Sequence, residues 1–367
     1  MGTPGYRASV DYVARALRAA GWRVRIEEVP LPEPIERSAP RLAIASVGPL
    51  RPWAEFRTLT YSGAGAGRGR LRRVGRGCRP ADVAALRPGE VALAGRGGCF
   101  FRVKAANARR AKALALLVAA PAGRRGVASA TLARPVDVPA LLVARSIADR
   151  LENGERVSLR VDAQVRPGRT WNVIGEAGEG ERVVMAGAHL DSVPHGPGIN
   201  DNGSGVAALL EVARELGPRP RRRVRLAFWG AEELGLVGSR RYVGTLSPAE
   251  RRATVVYLNL DMVGSPNAVP AVYRDGDERV TRILRQAHPG REAAVAAAGR
   301  SDHAAFDTAG IPVGGLYTGA DERGPGGEPR DPCYHLPCDT LANVDREALL
   351  RMTRATLRAL REVEDEP

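Results

Sequence analysis

The second half of the chain alternates short apolar runs with amphipathic runs of helical length, and this rhythm constrains the fold more than any other feature. Strands are predicted at 171–175, 182–188, 223–229, 254–260 and 311–316, and helices at 203–216, 232–243, 276–287 and 344–363. Such alternation is typical of a mainly parallel sheet with helices on both faces. Because ligands bind these sheets at the carboxyl ends of the strands, we expect a functional site at that edge.

The chain before this alternation has two parts of different character. Residues 8–20 place apolar side chains on one helical face, 22–26 has the pattern of a strand, and the proline run 30–34 predicts a break. Residues from about 38 to 165 predict a small β-rich region. Its expected elements are strands at 91–93, 115–118 and 139–143, a helix at about 102–113 and a flexible glycine-rich loop at 62–77.

The predicted architecture is therefore an α/β domain with a small β-rich insert. Residues 1–37 are the expected N-terminal part of the main domain, 38–165 the insert and 166–367 the main domain. Hydrophobic residues make up 44% of the 367 positions, which is enough for a sizeable core. No stretch approaches the roughly 18 apolar residues that a membrane-spanning helix needs, so we expect no membrane span.

The positive charge of the chain comes almost entirely from arginine. Lysine and arginine number 55 and aspartate and glutamate 41, a net charge of +14, and Lys104 and Lys112 are the two lysines. Nucleic-acid binding calls for clustered basic residues and stacking aromatics. Here the arginines are spread along the chain and aromatics are 5%, so we expect no nucleic-acid partner. Loose attraction to anionic cell-wall or membrane surfaces is compatible with this charge.

The four cysteines suggest disulfides. No C-x-x-C motif occurs, which argues against a structural zinc site. The two sequence-local pairs, Cys78–Cys99 and Cys333–Cys338, are one of three possible pairings. Disulfides indicate an oxidising compartment, yet residues 1–6 lack the features of a secretion signal. Either the N-terminus of this sequence is truncated or the protein stays inside the cell, and we expect the first.

Five residues able to bind a metal fall at predicted strand ends or in one downstream segment. They are His189 after strand 182–188, Asp201 twelve residues later, Glu233 after strand 223–229, Asp261 after strand 254–260, and His335 between Cys333 and Cys338. Two imidazoles and three carboxylates suit a pair of zinc ions, with one carboxylate shared between them. Glu232 beside Glu233 offers a second carboxylate for proton transfer.

The motifs around these residues resemble a known family. They are Ala188–Ser192, Gly198–Gly205, Trp229–Gly235, Asn259–Gly264, Gly299–His303 and Cys333–His335. Together they are similar to the secreted bacterial dizinc aminopeptidases of the leucyl aminopeptidase and aminopeptidase S and Y type. The resemblance covers about 166–367 almost continuously, and 2–30 as well.

The resemblance implies a role for each matching residue. His189 and Asp261 would bind one zinc ion, Glu233 and His335 the other, and Asp201 would bridge them, so the expected cofactor is two zinc ions per chain. Glu232 would be the general base and Tyr334 would stabilise the oxyanion. Asp191 would orient His189, and Arg300 would line the pocket for the free α-amino group. The Cys333–Cys338 disulfide would close the loop that carries His335.

The insert resembles a protease-associated domain over Gly89–Lys104, and the same context supports the Cys78–Cys99 pairing. Such a domain is expected to restrict the active site or bind partners. The three other histidines are not expected to bind a metal. His195 is expected at the rim of the site, His288 in solvent at a helix end, and His303 in a structural position or near the substrate.

The resemblance also sets expectations for location and partners. Family members carry a signal peptide and a further helix before the part that matches Gly2–Tyr6, and losing that helix would expose apolar surface. We expect an extracellular, monomeric enzyme that acts on peptides with free N-termini, with apolar residues such as leucine preferred. The alternatives are a carboxypeptidase or dipeptidase on the same fold, a glutaminyl-cyclase-like enzyme with one zinc ion, and a non-catalytic binding module.

Overall fold

The computed structural model describes residues 2–121, 126–273, 276–287, 293–295, 300–320, 322–324 and 326–365. The chain folds into two compact units. Met1–Leu31 and Gly168–Pro367 form the first unit, and Pro32–Pro167 form the second.

The strands, in chain order, are β1 (Arg23–Ile44), β2 (Gly48–Pro49), β3 (Phe56–Thr58), β4 (Gly65–Arg73), β5 (Val91–Ala94), β6 (Ala115–Ala119), β7 (Ala140–Val143), β8 (Arg156–Ala177), β9 (Val183–His189), β10 (Arg223–Trp229), β11 (Thr254–Leu260), β12 (Ala271–Tyr273), β13 (Ala293–Val295) and β14 (Val313–Tyr317). The α-helices are α1 (Pro4–Ala19), α2 (Phe101–Arg110), α3 (Arg145–Ala148), α4 (Gly205–Leu216), α5 (Val237–Thr245), α6 (Pro248–Ala253), α7 (Glu278–Ala287), α8 (His303–Thr308) and α9 (Arg346–Asp365).

The first unit is built on a mostly parallel sheet. Its strand order is β13-β12-β14-β11-β9-β10-β8, and the central strands β14, β11, β9 and β10 are parallel. β8 is antiparallel to β10, and β12 is antiparallel to β14. The four central parallel strands bring their carboxyl ends to the same edge of the sheet.

Helices cover both faces of this sheet. Successive residues of a strand point to opposite faces, and on β9 Val184 and Ala186 face one apolar cluster while Met185 faces another. The first cluster holds residues of α1, α4, α7 and α9, and the second holds residues of α5 and α8. The predicted α/β architecture is confirmed.

The second unit has its own sheet and core. β4, β5, β6 and β7 are parallel to one another, β3 is antiparallel to β7, and the first residues of β8 are antiparallel to β4. Its apolar core gathers residues of these strands, of β1 and of α3. A Cys78–Cys99 disulfide lies in this unit, and the buried Lys104 ammonium donates to the carbonyls of Arg76 and Gly97 next to it.

Two predictions about this part of the chain are wrong. The predicted loop at 62–77 contains β4, where glycines replace side chains that would collide with a neighbour: a methyl group on Gly67 would come 2.9 Å from the Leu114 side chain. The predicted break at 30–34 lies inside β1. Pro30, Pro32 and Pro34 alternate, so their missing N–H groups point to the same side of the strand, and the other side keeps its donors.

No helix in the described part of the chain is long and apolar enough to span a membrane.

Candidate active site

Two neighbouring strands of the first unit, β9 and β11, lead directly to polar side chains at one edge of the sheet, and β10 lies beside β9. His189 is the last residue of β9 and pairs in register with Trp229, the last residue of β10. Asp261 directly follows β11, which also pairs with β9 in parallel. His189 is 1% exposed, so its imidazole is held inside the protein rather than in solvent.

These strand ends meet two further segments to form two adjoining clusters. His189 Nε2 lies 3.2 Å from Asp201 Oδ1 and 3.4 Å from Asp261 Oδ1. His335 Nε2 lies 3.0 Å from Asp201 Oδ2 and 3.0 Å from Glu233 Oε1. In each cluster the three candidate ligand atoms lie within 4.8 Å of one another, and Asp201 belongs to both.

The donor set fits zinc. Imidazole nitrogens and carboxylate oxygens are zinc ligands, and each cluster offers one imidazole and two carboxylates. Asp261 Oδ1 and Glu233 Oε1 are buried, and their contacts with His189 Nε2 at 3.4 Å and His335 Nε2 at 3.0 Å lack regular hydrogen-bond geometry. Buried carboxylates without well-formed hydrogen bonds are costly unless a cation compensates them, so both oxygens are suited to bind a cation.

The electrostatics of the site also call for positive charge. Burial lowers the pKa of His189, but the charge of Asp261 and the close contacts with Asp201 and Asp261 raise it well above its ordinary value. His335 shows the same balance, with Glu233 as its first carboxylate partner. Burial raises the pKa of Glu232 well above its ordinary value, and the neighbouring carboxylate of Glu233 adds to this while His189 opposes it.

The segment after β10 presents the two glutamates. The predicted helix at 232–243 begins later, at Val237, and Glu232 and Glu233 lie in the turn before it. Their backbone N–H groups donate to the Asp191 carboxylate, at 2.9 Å from Glu232 and 3.3 Å from Glu233. His189 Nδ1 lies 3.0 Å from the backbone oxygen of Asp191 and 3.7 Å from its carboxylate. Asp191 therefore contacts both the imidazole and the glutamate turn.

A second set of buried groups, to which the sequence assigned no role, holds the loop of Asp201. The Asp339 carboxylate accepts the backbone N–H of Asn200 at 2.9 Å and of Asp201 at 3.0 Å. Asp331 accepts Asn200 Nδ2 at 2.7 Å, and Asn343 Nδ2 donates to both Asp331 and Asp339. The peptide bond between Asp201 and Asn202 is cis. These bonds join the Asp201 loop to the segment that carries His335.

A buried chain of hydrogen bonds runs through the strands below the site. Trp229 Nε1 donates to the Tyr257 hydroxyl at 2.8 Å, and that hydroxyl donates to Asn259 Oδ1 at 3.0 Å. Asn259 Nδ2 donates to Tyr273 and to Ser301. A methyl group on Gly187 would come 2.7 Å from Trp229 Nε1, so a glycine is needed where β9 passes this series of hydrogen bonds.

Asp302 is a further buried acid near the site, and the sequence reasoning gave it no role. Its side chain is fully buried at the start of α8. Burial raises the pKa of Asp302 to about 7, while His189 and a hydrogen bond with Ser239 act in the opposite direction.

The other residues singled out in the sequence lie as follows. Tyr334 is partly buried, with its ring centroid 3.8 Å from that of His335. A disulfide joins Cys333 to Cys338 around them. Arg300 is exposed. Its charge lowers the pKa of the Tyr317 hydroxyl, which burial raises most and Tyr334 also raises.

Of the three remaining histidines, two are described. His303 is buried, with its ring centroid 4.7 Å from that of Tyr273. His195 is exposed and has a positive φ of 65°. His288 lies outside the described residues.

Comparison with protein families matches residues 172–360 to peptidase family M28. The chain belongs to this family. Residues 67–151 match the PA domain, so the expected peptidase with a protease-associated domain is confirmed. As an M28 peptidase, the protein is a hydrolase.

Named relatives of this M28 peptidase extend along nearly its whole length. An aminopeptidase from Pseudomonas aeruginosa is 35% identical over 95% of this chain and 73% of its own length. A probable lipoprotein aminopeptidase, LpqL, from Mycobacterium tuberculosis is 37% identical over 95% of this chain and 77% of its own.

Two solved structures of similar fold are named as aminopeptidases. An aminopeptidase from Aneurinibacillus sp. strain AM-1 superimposes with a TM-score of 0.79 at 29% identity, over 98% of this chain and 88% of its own. BSAP, a zinc aminopeptidase from Bacillus subtilis, gives a TM-score of 0.76 at 27% identity, over 99% of this chain and 90% of its own.

Proposed function

We propose that this M28 peptidase is an aminopeptidase that removes apolar N-terminal residues, such as leucine, from peptides and uses two zinc ions. The observation that carries the proposal is the pair of clusters that share Asp201. Each cluster also contains one histidine and one further carboxylate. These are His189 and Asp261 in the first cluster, and His335 and Glu233 in the second. The named relatives, which are aminopeptidases, and the zinc aminopeptidase from B. subtilis support it.

The same side chains would hold the metal. His189 and Asp261 would bind one ion, Glu233 and His335 the other, and Asp201 would bridge both. When bound, zinc polarises the scissile carbonyl and lowers the pKa of water towards neutrality. Asp261 Oδ1 and Glu233 Oε1, which form no hydrogen bond of regular geometry, would then have a cation to compensate their charge.

Glu232 is the proposed general base. It is absent from both ligand clusters, is 9% exposed, and lies next to the ligand Glu233. Its carboxylate would accept a proton from the attacking water and return it to the leaving amine. Asp191, which accepts the backbone N–H groups of both glutamates, would hold this turn in place and orient His189.

Two further residues would contact the substrate. The Tyr334 hydroxyl would donate a hydrogen bond to the developing oxyanion, since its ring stacks beside the ligand His335. Arg300 would line the pocket for the free α-amino group. The disulfide between Cys333 and Cys338 would fix the short loop that carries Tyr334 and His335.

The domain organisation and location belong to the same proposal. We infer that 38–165 is a protease-associated domain inserted between 1–37 and 166–367, which the compact unit Pro32–Pro167 and the PA match support. We also infer an extracellular, monomeric enzyme. The two disulfides and the relative named as a lipoprotein support the location.

The test is hydrolysis of leucine p-nitroanilide beside its N-acetylated twin, with and without a chelator. We expect cleavage of the free-amine substrate alone, loss of activity with the chelator and its return with zinc. Zinc content near two ions per chain is the accompanying measurement.

Other outcomes would contradict the proposal. Cleavage of the N-acetylated substrate would show that a free N-terminus is not required, which contradicts an aminopeptidase. Cleavage of neither substrate by protein that holds two zinc ions would favour a carboxypeptidase or dipeptidase. A single zinc ion per chain would favour a glutaminyl-cyclase-like enzyme. The absence of bound zinc would favour a binding module. A panel of anilides with alanine, leucine, lysine and glutamate tests the apolar preference.

A further inference from the structure

One face of the unit Pro32–Pro167 carries exposed arginines from three neighbouring strands. They are Arg41 on β1, Arg68 and Arg70 on β4, and Arg156 and Arg160 on β8. β8 lies between the other two strands, because it pairs with both β4 and β1.

The strand register brings these arginines together. Arg70 pairs directly with Arg156 across β4 and β8, Arg68 pairs with Ser158, and Arg160 pairs with Ala66. Directly paired residues lie on the same face of a sheet, with Cβ atoms roughly 4.5–5.5 Å apart. The four arginines of β4 and β8 therefore form one cationic group.

Arg41 joins the group from the other side of β8. The backbone N–H of Ala45 donates to the carbonyl of Arg156, which sets β1 alongside β8. Leu42 and Ile44 are buried in the same apolar cluster as Val157 and Leu159. Because side chains alternate along a strand, Arg41 points to the opposite, exposed face with the arginines of β8.

The arginines of this face have no acidic partner in the described part of the unit. Arg70 donates to the carbonyl of Gly154, which leaves its charge uncompensated. Several other arginines of the same unit are paired with acids: Arg51 with Glu55, Arg72 with Glu90, Arg109 with Asp137, Arg145 with Asp149 and Arg166 with Glu33. The charge of this arginine group is thus not neutralised by acids among the described residues of the unit, as the charges of those pairs are.

Like charges directly opposite on a sheet reduce stability, so the direct pairing of Arg70 with Arg156 indicates a surface shaped for an anionic partner. The side chains between the arginines are small: Ala43, Ala66 and Ser158. They leave the guanidinium groups accessible on a three-stranded surface whose strands lie about 4.8 Å apart. Planar guanidinium groups bind phosphate oxygens in a bidentate manner.

We propose that this face, Arg41, Arg68, Arg70, Arg156 and Arg160, docks the protein on an anionic phospholipid bilayer. A bilayer presents phosphate groups over a broad flat area, which matches an array of arginines on three strands. The exposed residues of the face include no aromatic side chain that could stack on a nucleic-acid base. Without apolar side chains to insert, the attraction is electrostatic and falls as salt rises.

The test is sedimentation of the full chain with phosphatidylcholine vesicles that contain or lack phosphatidylglycerol. We expect binding to the anionic vesicles at low salt, its loss at high salt, and no binding to neutral vesicles. Each arginine near an anionic surface contributes roughly fivefold to partitioning, so the triple variant Arg68→Gln/Arg70→Gln/Arg156→Gln should bind about 100-fold more weakly.

The matched control changes the same net charge elsewhere. Arg354, Arg358 and Arg361 are exposed on α9, and Arg354→Gln/Arg358→Gln/Arg361→Gln should bind vesicles like the parent protein. Thermal unfolding checks the fold of both variants. The melting temperature of the sheet variant should not fall, because it removes the repulsion between Arg70 and Arg156.

Three results would overturn the proposal. The first is vesicle binding that the sheet variant retains, and the second is an equal loss in the α9 variant, which would reflect net charge alone. The third is binding of soluble polyphosphate, abolished in the sheet variant, without binding to anionic vesicles. That result would assign the face to a soluble polyanion. The test does not depend on peptidase activity, so it is independent of the proposed function.

Discussion

The backbone N–H of Asp201 donates a 3.0 Å hydrogen bond to Asp339 Oδ2, across a sequence separation of 138 residues. The other oxygen of Asp339 accepts the N–H of Asn200 at 2.9 Å. Asp339 directly follows Cys338, at the end of the disulfide-closed loop that also presents His335. The carboxylate common to both ligand clusters is therefore positioned by the same segment that supplies one of the two histidines.

The variant Asp339→Asn is expected to weaken zinc binding by about 10–100-fold, the range typical of groups that support metal ligands. Asparagine keeps one acceptor oxygen and places an NH₂ donor against one of the two N–H groups. The Asp201 loop should then shift away from the position that serves both clusters. Competition between the metal-free protein and a chromogenic zinc chelator measures the affinity directly.

Asp345→Asn is the matched control. The Asp345 carboxylate also accepts two backbone N–H groups, from Glu347 and Ala348, but at the start of α9. Because asparagine caps a helix N-terminus about as well as aspartate does, this variant should change stability little and leave zinc affinity unchanged. If both variants bound zinc like the parent protein, Asp339 would have no part in positioning the site.

Glu232→Gln is expected to lower turnover by about 10²–10⁴-fold, the contribution of a general base. Glutamine cannot accept the proton of the attacking water. Zinc content should stay at the parent level, because Glu232 is not a member of either ligand cluster. Turnover of leucine p-nitroanilide and metal analysis of the same sample test the two statements together.

The adjacent variant Glu233→Gln separates the two glutamates. Glu233 belongs to the cluster with Asp201 and His335, so this variant should lose zinc as well as activity. A fully active Glu232→Gln protein, or one that loses zinc as Glu233→Gln does, would show that the roles are wrongly assigned.

The residues of the two clusters could be located from the sequence because each follows a local pattern. His189, Glu233 and Asp261 come at or just after the end of an apolar strand, and parallel strands end at one edge of a sheet. The structure brings all three to that edge. Asp201 and His335 carry no such strand signal, and the sequence pointed to them through the glycine-rich turn and the cysteine pair around them.

The residues that support the clusters could not be predicted in this way. Asp331 and Asn343 act through hydrogen bonds to groups far away in sequence, and no periodic pattern marks them. β4 was missed for a related reason. Its glycines have the composition of a loop, and only the neighbouring Leu114 and Gly89 explain why side chains are excluded there.

That explanation predicts the cost of restoring a side chain on β4. A methyl group on Gly69 would collide with the carbonyl oxygen of Gly89, which is backbone and cannot rotate away. We expect Gly69→Ala to destabilise the unit Pro32–Pro167 by about 1–3 kcal/mol. Gly95→Ala in the same unit is the control, since its methyl group would meet its neighbour at an ordinary 3.5 Å. Denaturant unfolding that showed equal stability for both variants would contradict this account.

The first unit offers a prediction about pH. Glu176 on β8 pairs in register with Arg225 on β10, and Arg225 Nε donates to its carboxylate at 3.0 Å. Burial raises the pKa of Glu176. The hydrogen bond and charge of Arg225, together with Arg23, lower it by more, so the pKa in the folded protein lies below its ordinary value. The folded state therefore holds fewer protons on this group than the unfolded state does.

Because the pKa is depressed on folding, this contribution to stability is fully present above about pH 4.5 and is lost as the pH falls through the folded pKa. Glu176→Gln should thus be about 1–3 kcal/mol less stable than the parent protein at pH 7, and the difference should shrink on acidification as the parent carboxylate becomes protonated. Glu211→Gln is the control, because Glu211 pairs with Arg214 on the exposed side of α4 and such surface pairs contribute about 0–1 kcal/mol. Denaturant unfolding at pH 7 and pH 3 measures both variants. A Glu176→Gln deficit that is the same at both pH values would mean that packing, rather than the charge of Glu176, stabilises this pair of strands.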